Sequence, residues 1–265
     1  MAASKAVSLK ALATAVPGNT ILQSDAAEAA TRIFEKRYSE FNRLKAVFRT
    51  SGIHKRQMAQ PIEWYLEPKN WPERGEAYLD GATELFMEAA QLVLDQARLL
   101  PADIDTIVTI SSTGIATPGL EARALNEMGF RQGVKRVPVF GLGCAGGTSG
   151  LGLAMRLAQA EPGTNVLIVV VELCSLSFRF DMLTKANIVA SALFGDGAAA
   201  AIVNADDDGE IIVEGGQEYT WPDTLNIMGW SVDQAGLGVI FDRAIPPFAR
   251  EHLAPALDTM LGALG

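Results

Sequence analysis

Apolar positions recur at two periods along this chain. Residues 6–14 run into an apolar stretch of strand character, closed by the turn Pro17-Gly18. From Ser24 toward Tyr38, residues Ala26, Ala27, Ala30, Ile33 and Phe34 return at helical spacing, and 40–48 predicts a second, short helix. Residues 51–75 hold three prolines and two tryptophans and read as loop with short turns. Beyond them the pattern predicts an amphipathic helix over 81–99, a buried strand over 104–110, a polar loop at 111–114, a helix over 120–128 and a strand over 136–140. Residues 146–160 are small and aliphatic with hardly a charge before Arg156, the pattern of a helix buried on all sides. A buried strand over 166–171, a helix over 188–193, a turn at 194–197 and a strand over 198–203 follow.

Strands alternating with helices predict an α/β fold with a largely parallel sheet. The texture changes after Asn204. Residues 205–209 read as a solvated turn, 211–213, 225–230 and 237–241 as strand-like runs, and 247–264 as a helix. We therefore expect residues 1–204 to form one complete layered half and 205–265 to be the opening of a second, truncated one.

Composition narrows the function classes. The 265 residues are 49% hydrophobic and 20% charged, as in an ordinary globular protein. A net charge of −9 argues against nucleic acid as the main partner, since phosphate backbones select a basic face. Two cysteines, Cys144 and Cys174, make neither a disulfide framework nor a metal cluster, so no metal and no cofactor is expected. With no leader pattern and no apolar run long enough to span a bilayer, the expectation is a cytoplasmic protein with no membrane partner.

The chemistry concentrates at Gly141-Leu-Gly-Cys-Ala-Gly-Gly147, between a strand and the apolar helix. In one reading Cys144 is a nucleophile: a helix N-terminus carries partial positive charge and favours a thiolate. The small residues Gly143, Ala145, Gly146 and Gly147 would admit a substrate carbonyl and leave backbone N–H groups free as an oxyanion site. A second reading takes Gly141-x-Gly143-x-x-Gly146 as a dinucleotide fingerprint with Glu172 as the ribose-binding acid, although Pro138 interrupts the strand before it. A third takes Cys144 as a small buried hydrophobe.

The wider sequence decides among them. Gly143-Cys-Ala-Gly-Gly-Thr148, Val171-Glu-Leu-Cys-Ser-Leu-Ser-Phe-Arg179 and Ala192-Leu-Phe-Gly-Asp-Gly-Ala198 resemble, in order, the signatures of type III polyketide synthases, the chalcone and stilbene synthase family. Ser111-Ser-Thr-Gly-Ile-Ala-Thr-Pro-Gly119, Gly229-Trp230, Gly236-Leu-Gly-Val239 and Ile245-Pro246 continue the resemblance over nearly the whole chain. It implies a thiolase-like αβαβα fold, a homodimer, an acyl-CoA starter loaded on Cys144, and extension with malonyl-CoA. Carried over by position, Phe194 would be a gatekeeper between a CoA tunnel and the cavity. The second gatekeeper position falls at Val239, whose small side chain would widen the passage for a long acyl group. Ser112, Cys174, Ser177 and Trp230 would line the cavity, and Thr117 would approach the partner's. Arg43, Lys45, Arg49, Lys55 and Arg56 form a basic group able to bind the CoA phosphates. A ketoacyl-carrier-protein synthase III is the near alternative within the same fold.

One part of the resemblance fails. The family's catalytic His and Asn, in H-P-G-G and G-N segments, have no counterpart, and the only histidines are His54 and His252. Extension is therefore expected to need a second chain, or further polypeptide, supplying both; a non-catalytic thiolase-fold protein is the alternative.

Overall fold

The computed structural model describes residues 6–205 and 209–264, so most of the expected turn at 205–209 lies outside the described residues. In chain order the elements are β1 (Ser8–Ala15), β2 (Asn19–Leu22), α1 (Gln23–Phe34), α2 (Phe41–Leu44), α3 (Ala46–Thr50), β3 (Lys55–Met58), α4 (Ile62–Tyr65), α5 (Trp71–Ala97), β4 (Thr106–Ile110), α6 (Leu120–Met128), β5 (Lys135–Val139), α7 (Gly146–Ala160), β6 (Asn165–Leu173), α8 (Lys185–Leu193), β7 (Asp196–Asn204), β8 (Met228–Asp233), β9 (Gly236–Phe241) and α9 (Ile245–Gly262). Among the described residues, no helix is long and apolar enough to cross a membrane.

The mixed α/β architecture expected from the pattern is present, in three layers. Strands β1-β7-β6-β4-β5 form one five-stranded sheet. Helices α5 and α6 cover one face through a core that includes Phe86, Leu94, Ile107 and Leu167. Helix α7 covers the other face, over Val108, Ile110, Val166 and Ile168. A third cluster, with Phe34, Phe41 and Ile188, joins α1, α2 and α8 beside the sheet.

The sheet is less parallel than the alternation implied. Strands β4, β5 and β6 run parallel, but β7 runs antiparallel to both β6 and β1. The reason is the path of α8. It packs on α1, α3 and β9 rather than across a sheet face, so the chain re-enters the sheet at the edge it left. Asp196 and Gly197, expected in a turn, already belong to β7.

Residues 51–75 are also more ordered than their prolines suggested. They contain β3, paired with β2, and the short helix α4. They also contain the first turn of α5, which begins ten residues before the expected start. Asn70 caps that helix: its side chain accepts from the Glu73 N–H at 2.9 Å, and the Glu73 carboxylate accepts from the Asn70 N–H at 2.8 Å. Pro72 sits in the first turn, where its missing N–H costs nothing. The helix begun at Ser24 ends early, at Phe34, and the 40–48 helix is split into α2 and α3.

The expectation that α7 is buried all round is corrected. Gly146, Gly150, Gly152, Ala154, Met155 and Ala158 are buried, Gly152 against the backbone of Gly216 rather than the sheet, while Leu151, Leu153 and Leu157 are only half-buried. The approach to the sheet is close because of glycine: a Cβ at Gly146 or Gly150 would stand 2.7 or 2.1 Å from an Ile110 methyl. The later segments are sparsely packed. Residues 211–213 make a single bridge, Ser8 to Ile212, instead of a strand, and β8 starts at Met228 rather than 225. Helix α9 buries only Ala256, leaving Leu253, Leu257 and Leu261 exposed.

Removing the cap tests the α5 boundary. Asn70→Ala is expected to cost about 1 kcal/mol, read as a lower denaturant midpoint at unchanged slope.

Candidate active site

Parallel strands bring their carboxyl ends to one edge of a sheet, and the loops that follow β4, β5 and β6 meet there. They carry Ser111-Ser112-Thr113, Gly141–Cys144 and Cys174–Ser177. The inverted strand β7 starts at the same edge, with Asp196 opposite Leu173, which places Phe194 beside them. The sheet topology thus assembles most of the expected residues.

Cys144 lies in a 3-10 turn, Gly143–Ala145, leading directly into α7, and is exposed. Gly141 and Gly143 before it have φ of 94° and 53°, in the left-handed region that a side chain would strain. The Ser112 hydroxyl oxygen accepts from both the Gly141 and the Gly143 N–H at 3.1 Å. Ser112 is itself buried, and its own N–H donates to the Glu172 carboxylate at 3.0 and 3.1 Å. The Thr113 hydroxyl donates to Glu172 at 2.7 Å and accepts from the Leu173 N–H at 2.9 Å. A chain of contacts therefore runs from the end of β6 to the cysteine loop.

This geometry corrects three expectations. Ser112 is not among the residues lining the cavity around Cys174 and Phe194; it holds the Cys144 loop. Glu172 does not face a ribose pocket; it turns onto the 112–113 loop, and burial pushes its carboxyl up against the pull of those donors. Of the four residues expected to offer oxyanion N–H groups, Gly143, Ala145 and Gly146 have theirs taken, by Ser112 Oγ, Leu142 O and Gly143 O.

A mostly apolar cavity of about 70 Å³ lies around Cys174 and Phe194. Cys174, Ser177, Phe194 and Val239 line it, with Ile33, Phe34, Met58 and Tyr65. Trp230 stands behind Phe194, in edge contact at 6.2 Å between ring centroids, and Phe241 meets the same ring at 6.1 Å. Val239 pairs with Trp230 across the β8–β9 hairpin. Thr117, joined to Pro118 by a cis peptide, is exposed on a separate hollow that Ile115 and Phe140 also line.

The basic group divides. Arg43, Lys45, Arg49 and Lys55 are exposed. Lys45 and Arg49 line an open groove with Gln23, Ser24, Asn42 and His54. Arg56 does not belong with them. It is buried, and its Nη1 donates to the Ser191 and Phe194 carbonyls at 2.8 and 2.6 Å. A charge in a basic run gives no sign of burial, which is why the sequence grouped it with the rest. His252 meets the Phe248 ring in α9 at a tilt, with centroids 4.5 Å apart.

Sequence reasoning passed over Asp196, Tyr65 and Ser175. Asp196 is buried, accepting from the Ser175 N–H at 2.8 Å, the Ala59 N–H at 2.6 Å and the Ser175 hydroxyl, while Tyr65 and Ser175 share a hydrogen bond of 2.6 Å. Burial raises the pKa of both Asp196 and Tyr65. The available signal was a lone acid flanked by glycines at the head of an all-apolar strand.

The two thiols differ. Burial pushes Cys174 up to about 12, with the charges of Glu172, Asp196 and Cys144 adding to it. Iodoacetamide at pH 8 is therefore expected to add one group to the folded protein, at Cys144, and none to Cys144→Ala; two additions, read by intact mass, would contradict this. The shift also fixes a pH dependence. The unfolded thiol ionises near ~8.5, while the folded one stays protonated to about 12. The unfolded state thus loses its proton first, and stability falls as pH rises through that window. Cys174→Ala is expected to flatten this alkaline limb in denaturation measured from pH 8 upward.

The sequence model of the family "Chalcone and stilbene synthases, N-terminal domain" matches residues 1–207. The chain is 37% identical over 266 residues to a 1,3,6,8-tetrahydroxynaphthalene synthase of Streptomyces peucetius subsp. caesius, covering 98% of this chain and 70% of the relative. It is 33% identical over 255 residues to a putative chalcone synthase of Bacillus subtilis, covering 91% and 70%. The crystal structure of 1,3,6,8-tetrahydroxynaphthalene synthase from Streptomyces coelicolor A3(2), a bacterial type III polyketide synthase, superposes with a TM-score of 0.91 at 32% identity, covering 97% of this chain and 73% of that one. With its cysteine loop, signature order and layered sheet, this chain belongs to the chalcone and stilbene synthase family of type III polyketide synthases.

Proposed function

We propose that this chain supplies the acyl-accepting part of a type III polyketide synthase, with Cys144 as the nucleophile. The observation that carries this reading is the exposed Cys144 at the head of α7, on a loop whose left-handed glycines are pinned by Ser112. The Cys144 thiolate would attack the carbonyl of an acyl-CoA thioester. The new C–S bond forms at Cys144, the bond to CoA breaks, and the departing thiolate takes a proton from solvent. The start of α7 favours negative charge at that sulfur.

Residues 205–265 are read as the start of a second layered unit. The charge that develops when malonyl-CoA loses CO2 needs donors, each worth a few kcal/mol. His54 lies along the groove of Lys45 and Arg49, and His252 lies against Phe248. The donors for extension are therefore assigned to polypeptide outside these 265 residues, either continuous with them or on a second chain. The exposed Thr117, with Ile115 and Phe140 nearby, suits a homodimer contact. Exposed Arg43, Lys45, Arg49 and Lys55 suit the CoA phosphates. The apolar cavity that Phe194 and the short Val239 side chain line suits the carbons of an acyl group.

Intact mass after incubation with a panel of acyl-CoAs tests the first step. An acyl adduct on the wild type and none on Cys144→Ala is the expected outcome. No adduct from any acyl-CoA, on protein shown to be folded, would leave this chain as a non-catalytic partner or as dependent on further polypeptide even for loading.

A further inference from the structure

The β8–β9 hairpin forms a sheet of its own, apart from the five-stranded sheet. It nevertheless walls the cavity: Val239 lines it, Trp230 packs on Phe194, and β9 touches the Cys174–Ser177 turn. Two arginines grip the hairpin at its own turn. Arg179, only 5% exposed, donates from Nη1 to Asp233 at 2.8 Å, and from Nε and Nη2 to Asp181 at 2.7 and 2.5 Å. Arg74, equally buried, donates from Nη2 to the Ala235 carbonyl. The Asp233 carboxylate also accepts from the Ala235 N–H at 2.8 Å, which shapes the turn. The base of this clasp is fixed. Asn187, itself buried, donates to the Arg179 and Met182 carbonyls at 2.7 and 2.9 Å, and Arg74 stands in the capped first turn of α5. The two guanidiniums also feel each other: after burial, the Arg179 charge is what most lowers Arg74, and Asp181 and Asp233 oppose it. A lifted hairpin would take Asp233 and the Ala235 carbonyl away together, leaving two neighbouring cations with one carboxylate.

We propose that Arg179 is a positioning residue: through Asp233 it seats the β8–β9 hairpin over the cavity, and this seat decides how large an acyl group the space around Cys174 and Phe194 admits. The inference rests on the reading of that cavity as the acyl site. Its size carries the argument. About 70 Å³ is room for only a few water-sized groups, so a larger acyl group needs a wall that moves. The hairpin is such a wall, held by side chains and not by the ladder of the main sheet. Its apolar attachments, the buried Leu237 and Val239, are indifferent to ionic strength, whereas its ion pair is weakened as salt screens it.

Cys174 reports the seat, because it lines the cavity on the turn that β9 touches. In a Cys144→Ala background, the rate of iodoacetamide addition at pH 8 is followed by intact mass. Asp233→Ala is expected to speed that addition roughly tenfold or more, the effect of losing a hydrogen bond between charged groups. Asp233→Glu is expected to restore most of the protection. Raising KCl toward about 1 M is expected to speed addition to the parent protein, since screening reaches the ion pair and not the apolar contacts. Urea below the unfolding transition is expected to change these rates little, because lifting a hairpin exposes little surface. An Asp233→Ala rate equal to the parent's overturns the inference. So does a rate that KCl slows, or one that climbs with urea as steeply as global unfolding. With Cys144 in place, Asp233→Ala is expected to shift acyl adducts toward longer acyl-CoAs, and an unchanged preference overturns the link between the seat and size. No acyl adduct on the parent overturns the acyl reading, while the Cys174 rates still decide whether Arg179 and Asp233 seat the hairpin.

Discussion

Two backbone N–H groups, those of Gly141 and Gly143, point away from any strand or helix, and one hydroxyl oxygen accepts both. The cysteine loop takes its shape from this shared acceptor. A left-handed glycine pair has no intrinsic reason to hold one conformation, since glycine loses more freedom on ordering than any other residue. Ser112 supplies the restraint, and Glu172 supplies it to Ser112. The loop is thus fastened to the end of β6, two strands from β5, the strand that precedes it. A cysteine on a small-residue loop needs such a remote anchor, because small residues contribute little packing of their own.

The same edge of the sheet serves several purposes because of strand direction. Three parallel strands deliver their following loops to it, and the inverted β7 delivers its preceding segment, Phe194 and Asp196. Had β7 run parallel, that segment would lie at the far edge. The close seat of α7 on β4 completes the arrangement, since Gly146 and Gly150 let the Ile110 methyls under the helix just after Cys144.

Much of this was legible in the residues, and the exceptions have physical causes. Helices α6 and α7 fall on the expected residues because glycines bracket them, and the order of signatures located Cys144, Phe194 and Val239. The start of α5 was hidden, because Pro68 and Pro72 resemble loop punctuation until the Asn70–Glu73 cap is recognised. The direction of β7 leaves no trace in hydrophobic pattern, since a buried strand reads alike both ways. The roles of Ser112 and Arg56 were misread for a related reason. A polar side chain in a site signature suggests contact with a ligand, yet Ser112 is occupied by backbone amides and Arg56 by carbonyls, and neither partner is close to it in sequence.

The placement of β7 also governs the order in which the molecule can be made. β1 pairs with no strand of the main sheet except β7, so Ser8–Ala15 find their partner only when residues 196–204 exist. At ribosomal rates of about 5–20 residues per second, the first strand waits on the order of ten to forty seconds. During that interval β4, β5 and β6 can pair among themselves, but the β6 edge that will receive β7 stays open, and α5 lacks two of the strands it packs on. The nascent chain thus carries an unpaired strand and an unfinished apolar face together, the combination that invites association between chains, until a single late segment closes both.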